Sequence, residues 1–325
     1  MAMPRVSVNL CCYNAESFLE ETLQSIFAQT DPDWELVIVN DASTDGTDAL
    51  IRSHIAAGRP IVYDPLSSNV GLGAARNRAL ARSSGELIAF IDHDDVWHPK
   101  KLACQVPLFD ADPRVGLVYS DCVNVWEHGE WFRQFDRLRP CEGEAFPALL
   151  AQYPVSIQTV VIRRRALEDG LVGFDPRFRV LEDMEFVLRL SRRWRLAVVR
   201  DPLAWIKMRR DSATWTLRDR WPVEMRLILE ALRADPEIER RHPEALARFV
   251  FEIARMEARI AWERGRRADA LACLEPYRRR YREALRDVWL VRCLPHAAYQ
   301  RVRRWMVRGA QALRLTEPVK CPTVH

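Results

Sequence analysis

The sequence predicts an α/β protein: a mostly parallel sheet flanked by helices, followed by a helical C-terminal domain. Three observations carry that prediction. Apolar strand-like runs alternate with helix-like runs through residues 1–120, and such alternation builds parallel sheets because each return to the same end of the sheet needs a crossover. Polar clusters follow three of the apolar runs, at the strand ends where open sheets collect ligands. Beyond Trp221 the strand signals stop and the chain becomes helix-like and arginine-rich.

Taken in order, residues 6–10 read as the first strand, 15–29 as a helix, 35–40 as a strand and 47–57 as a helix. Residues 61–63 (strand), 74–83 (helix) and 87–92 (strand) continue the alternation. Residues 115–125 and 156–163 read as further strands, and 181–194 as an amphipathic helix with Phe186, Val187 and Leu190 on its apolar face. Breaks near Asp235-Pro236, Gly265, Glu275-Pro276 and Leu294-Pro295-His296 cut the remainder into helices. We expect two domains, 1–220 and 221–325.

A chain of 325 residues buries a full core and still carries an appendage. Its 48% hydrophobic and 29% charged residues suit a soluble fold, and no apolar run approaches a membrane span. Met1-Ala2-Met3-Pro4-Arg5 leads straight into the first strand, leaving no apolar core for a signal peptide, so a cytoplasmic location is expected. Eight cysteines lack paired CxxC spacing, and free buried thiols are expected. The net charge of +4 hides an asymmetry: residues 221–325 hold 22 Lys+Arg against 14 Asp+Glu.

Asp92-His93-Asp94-Asp95 directly follows the apolar strand, which puts the carboxylates at a strand end. Asp92 and Asp94 alternate on an extended segment and point the same way, so they can share Mn2+ or Mg2+ with diphosphate oxygens. A solvated acidic turn has the same local pattern. His93, Trp97 and His98 flank this cluster. Asp45 and Thr47 read as turn and N-cap residues, Gly46 as a positive-φ position, and Asn69 and Gly71 as a loop stop. Gly71-Leu72-Gly73 lacks the third glycine and the following acidic residue of a dinucleotide fingerprint.

Five motifs occur in one order: a strand ending in Tyr13-Asn14; Asn40-Asp41-Ala42-Ser43-Thr44-Asp45-Gly46-Thr47; the Asn69 to Asn77 stretch; Asp92-His93-Asp94-Asp95; and Glu182-Asp183. In this order and spacing the chain resembles glycosyltransferase family 2 over residues 4–215. The resemblance implies a GT-A (Rossmann-like) fold and inverting transfer of a sugar from UDP or dTDP to an acceptor hydroxyl. Cell-surface or secondary-metabolite glycan synthesis is the implied setting.

By the same resemblance Asp41 contacts the donor base, where a carboxylate accepts the N3–H of uracil or thymine. Cys11, Tyr13, Asn14 and Arg76 would hold the nucleoside and diphosphate, with Asp92 and Asp94 as donor-site metal ligands. Asp183 would be the general base, and Trp97 and Glu182 would stand on the acceptor side. The bland alternative for Asp183 is a first-turn carboxylate whose pKa the helix dipole depresses.

Two departures stand out. Cys11-Cys12 replaces a frequent Pro-Thr, and Ile206-Lys207-Met208-Arg209-Arg210-Asp211-Ser212 has no histidine to complete a metal sphere. Arg209 or Arg210 would then bind the diphosphate directly. The expected partners are a nucleotide-sugar donor and a saccharide or lipid-linked acceptor, without nucleic acid. The basic and apolar stretch 298–315 has two readings: Trp305 and its neighbours pack against the preceding helices while the arginines are solvated, or the stretch makes peripheral contact with the inner face of a membrane. Rival classes are a sugar-nucleotide pyrophosphorylase, whose glycine-rich phosphate loop residues 9–17 lack, and a non-catalytic binding scaffold, which would tolerate loss of Glu182-Asp183.

Overall fold

The computed structural model describes residues 3–168 and 173–301. They divide into two compact units, one ending at Ser212 and the other beginning at Ala213.

The first unit opens with β1 (Val6–Cys12), α1 (Leu19–Phe27), β2 (Trp34–Asn40), α2 (Thr47–Ala56), β3 (Ile61–Pro65), α3 (Leu72–Arg82) and β4 (Leu87–Asp92). β1 lies between β2 and β4, parallel to both, and β3 runs parallel to β2. Every residue of β1 is buried, as expected of a parallel strand with helices over both faces. Leu19, Leu23 and Ile26 of α1 join Val6, Val8 and Leu10 in the main core.

The unit continues with β5 (Val96–Trp97), α4 (Lys101–Ala111), β6 (Val115–Trp126), β7 (Trp131–Arg133), α5 (Phe146–Ala151), β8 (Val161–Arg163), α6 (Arg165–Glu168), α7 (Glu182–Ser191) and β9 (Arg195–Met208). The sheet order is β3-β2-β1-β4-β8-β6-β9-β5, with β7 on β6. The sheet is therefore mixed. β3-β2-β1-β4 and the β6–β9 pair are parallel, while β8, β5 and β7 pair antiparallel to their neighbours.

The strand expected at 156–163 is shorter than its sequence suggested, because Ile157–Thr159 form a 3-10 turn and only Val161–Arg163 pair. The turn brings the Gln158 side chain to the end of β4. α4 was not anticipated, although Leu102, Val106 and Phe109 fall at helical spacing. Pro107 within it and the buried Lys101 masked the pattern.

The second unit is helical, as expected: α8 (Ala213–Thr216), α9 (Arg220–Arg233), α10 (Pro236–Arg241), α11 (Pro243–Glu263), α12 (Arg267–Leu274) and α13 (Arg282–Cys293). Phe251, Ala258 and Trp262 of α11 pack with Leu274 of α12 and Ala284, Val288 and Val291 of α13. Arg255 on α11 reaches Asp287 on α13 at 2.9 Å, so part of the arginine excess is paired internally. Most of the 298–315 stretch lies outside the described residues. Among the described residues no helix is long and apolar enough to cross a membrane, and the seven described cysteines are free thiols.

Candidate active site

Parallel pairing brings three strand ends together. Cys11 lies opposite Asp92 in the β1–β4 register, and the Asp41 N–H donates to the Cys12 carbonyl at 2.8 Å. Residues 11–14, 41–43 and 92–95 thus share one edge of the sheet. Asn14, at φ 49°, staples two of these loops. Its N–H donates to Ser43 Oγ at 2.9 Å, and its Oδ1 accepts the Thr44 N–H at 2.9 Å. Thr47 Oγ1 accepts the Ala15 N–H at 2.8 Å, and Asp45 accepts the N–H groups of Glu16 and Thr47, both at 3.1 Å.

Gly46 does not take the positive φ expected of it. It sits at φ −72°, and the left-handed residue of this loop is Ala42, at 61°. The Gly46 N–H donates to the carboxylate of Glu16 at 3.0 Å, and a Cβ at 46 would displace that carboxylate.

Tyr13 is 46% exposed, which leaves its ring free to stack on a base. Cys11 is buried beside Asp92, and burial pushes its thiol up to about 12, so it stays a neutral, weak donor. Asp41 is buried and faces the start of α3: its two oxygens accept the N–H groups of Val70 at 2.8 Å and Gly71 at 3.0 Å. Gly71 takes φ 85°, which lets the chain stop and turn into α3.

Arg76, expected to help hold the nucleoside and diphosphate, is buried, and its guanidinium fork bridges the two acidic motifs. Nη2 donates to Asp92 Oδ1 and Nη1 to Glu182 Oε1, both at 2.8 Å. The other Asp92 oxygen accepts from Gln158 Nε2 at 2.5 Å. Burial alone would raise the Asp92 pKa, but the Arg76 charge and these hydrogen bonds hold it below the usual carboxylate range.

Trp97 departs from its expected place. It is fully buried, so it cannot wall an open acceptor pocket. Its Nε1–H donates to the Gln158 carbonyl at 2.8 Å, and the Lys101 ammonium lies 4.2 Å from its ring. Gln158, which the sequence did not flag, is tied to the site through both its backbone and its amide. His98 stacks on Trp205, with ring centroids 6.1 Å apart.

Asp94 has 14% side-chain exposure, against 22% for Asp92, and its Oδ2 lies 3.3 Å from Arg209 Nη2. Burial raises its pKa, Asp92 adds to that, and His93 and Arg209 oppose it. Among the described residues no three His, Cys, Asp or Glu side chains gather into a metal cage. The donor set nevertheless fits a hard cation that keeps water and substrate oxygens. Asp94 offers an oxygen edge, and Asp92 stays ionised with lone pairs left over.

Asp183 stands on the first turn of α7, where its Oδ1 accepts the Met184 N–H at 2.7 Å. The expected depression of its pKa does not occur. Burial, followed by the adjacent Glu182 charge, outweighs Arg76 and the backbone N–H and lifts it to about 7. Tyr153, also unflagged, lies in the field of Asp183 and Glu182. Its buried hydroxyl has no hydrogen-bond partner among the described residues.

A sheet of this order, with motif residues gathered at its parallel strand ends and a helical unit after it, is the GT-A fold. The chain belongs to glycosyl transferase family 2, whose family model matches residues 7–171, just over half of its length.

The putative teichuronic acid biosynthesis glycosyltransferase TuaG of Bacillus subtilis is 41% identical over 103 residues, 32% of this chain and 41% of that protein. The putative glycosyltransferase EpsE of the same organism is 30% identical over 189 residues, 57% of this chain and 66% of that one. The chain spans well under half the length of the first curated relatives it matches.

Among solved structures, S. aureus TarS 1-349 in complex with UDP-GlcNAc has a TM-score of 0.67 at 22% identity, covering 84% of this chain and 80% of that one. The mannosyltransferase PcManGT from Pyrobaculum calidifontis, in complex with GDP-Man and Mn2+, has a TM-score of 0.62 at 22% identity, covering 98% and 82%. At that identity these two establish the fold.

Proposed function

We propose that this glycosyltransferase is metal-dependent and inverting, and that it moves a sugar from a UDP or dTDP donor to an acceptor hydroxyl in cell-surface glycan synthesis. The observation that carries the reading is the pairing of two unlike acidic sites across Arg76. Asp92 is held ionised on one side, and Asp183 is lifted to about 7 on the other. One arrangement keeps a permanent anion for the donor side, and the other a base able to take a proton near neutral pH. The likeness to a UDP-GlcNAc-bound enzyme and to one bound to GDP-Man and Mn2+ supports a nucleotide-sugar donor and a divalent cation on the donor side.

Asp94, with a lone pair of Asp92, would hold Mn2+ or Mg2+. That cation would supply Lewis-acid neutralisation of the departing nucleoside diphosphate. Tyr13 stacks on the base, and Asp41 fixes the 69–71 turn against it while offering its remaining lone pairs to N3–H. Asp183 accepts the acceptor's hydroxyl proton as that oxygen bonds to the anomeric carbon. The bond from carbon to phosphate oxygen breaks, and its electron pair leaves with the diphosphate. Attack opposite the leaving group inverts the centre. A lipid-linked or saccharide acceptor suits a chain whose α13 exposes Leu285 and Trp289 beside Arg282 and Arg286.

A panel of UDP, dTDP, GDP and CDP sugars, read by release of the nucleoside diphosphate, tests the donor. Turnover is expected with a uridine or thymidine donor alone; turnover with GDP-mannose alone would overturn that assignment. Asp94→Ala and excess chelator should each abolish transfer, chelation reversibly. Full activity in chelator would remove the metal from the reading.

A further inference from the structure

Arg209 already occupies the place where a cation is expected. It follows directly on β9, whose pairing with β5 sets its position: Val96 lies opposite Trp205 and Trp97 opposite Ala204. The Lys207 N–H then donates to Asp95 Oδ1 at 2.9 Å. Two residues further on, Arg209 brings Nη2 to 3.3 Å from Asp94 Oδ2. Its guanidinium lies 4.3 Å from the Phe18 ring, and its Nε is 3.3 Å from Asp211 Oδ1. With 16% side-chain exposure it is held, not waving in solvent.

A monovalent cation in this position has a calculable consequence for charge. Asp92, Asp94, Arg209 and a divalent cation together still carry a surplus of positive charge, so a bare ion meets repulsion from the guanidinium at the carboxylate it needs. A sugar nucleotide adds a negative charge on each phosphate, which offsets that surplus. A guanidinium displaced from the carboxylate also finds an equivalent planar partner in phosphate oxygens.

We propose that Arg209 is the built-in counter-ion of Asp94: it keeps free divalent cations out of the site and yields only when the cation arrives with a diphosphate, whose oxygens then receive the guanidinium. The proposal rests on the metal-dependent reading above and adds an order of events to it. It also gives the histidine-free stretch 206–212 a role at the cation site. An arginine that first guards the carboxylate and then binds the leaving group couples metal entry to donor entry.

The test is Mn2+ binding by the full chain, followed through the EPR signal of the free ion, with Mn2+ alone and again with UDP present. Arg209→Met leaves an unbranched apolar side chain next to Phe18 and removes the charge. It should bind Mn2+ alone roughly tenfold or more tightly than wild type. Arg209→Lys keeps the charge and should stay near wild type. With UDP present, wild-type affinity for Mn2+ should rise and the gap to Arg209→Met should close. Equal binding of Mn2+ alone by wild type and Arg209→Met overturns the proposal. A different result, undiminished Mn2+ binding by Asp94→Asn in the presence of UDP, would instead overturn the metal site itself.

Discussion

The Asp183 carboxyl has a pKa of about 7, near half ionisation at neutral pH, because burial and Glu182 oppose its charge more strongly than Arg76 supports it. Only the ionised form accepts a proton, so kcat/KM should fall about tenfold per pH unit below roughly 7 and level off above it. The same shift acts on stability with the opposite sign. A carboxyl that binds its proton more tightly in the fold favours folding at low pH, and loses that contribution as pH rises through about 7. Asp183→Asn should keep donor affinity while turnover drops by roughly two to four orders of magnitude, measured with the donor saturating. Unchanged turnover would leave Asp183 a first-turn carboxylate and nothing more. Arg76→Met would strand Glu182 and Asp92 without their shared cation. We expect a loss of about 3–5 kcal/mol, seen as a clear drop in Tm, and a native Tm would deny the bridge its structural role.

At the scale of elements, β2 and α3 are joined by one side chain. Asp41 leaves the end of β2 and anchors the two N–H groups that open α3. Asn at this position offers one oxygen where two are used, and its NH2 meets a backbone N–H. Asp41→Asn should therefore weaken UDP binding by roughly tenfold or more, since an unmatched buried donor costs about 1–3 kcal/mol. Calorimetry with UDP and CDP decides it: if the native chain binds both equally, Asp41 does not read the base. The elements that position this site differ in how far the sequence revealed them. β1, β2 and β4 are continuous apolar runs ending in polar residues, a pattern with one reading. α4 was hidden by Pro107 and Lys101. The 3-10 turn that delivers Gln158 has no sequence signature, because its three residues look as strand-like as those after them.

The whole molecule pairs a mixed-sheet unit with a helical one, and the membrane question belongs to the second. On α13 Leu285 is 59% and Trp289 60% exposed, one turn apart and beside exposed Arg282 and Arg286. Basic residues near an anionic leaflet contribute about 1 kcal/mol each. We expect the full chain to sediment with phosphatidylglycerol vesicles at low salt and to be released at high salt. Joint Leu285→Glu and Trp289→Glu substitution should abolish that binding. An unbound native chain at low salt would point to a soluble acceptor.

The linear order of motifs determined the family, the strand ends and the identity of the acidic groups, because each depends on neighbours within a few residues. Tertiary structure alone decided what those groups do to one another. Arg76 reaches Glu182 across 106 positions of sequence, and Arg209 meets Asp94 across a comparable span. The raised pKa of Asp183 followed from burial first, then from the charge of Glu182, with that distant arginine opposing both. Local chemistry is written residue by residue. Charge balance in a buried site is a sum over contacts that exist only once the chain has folded.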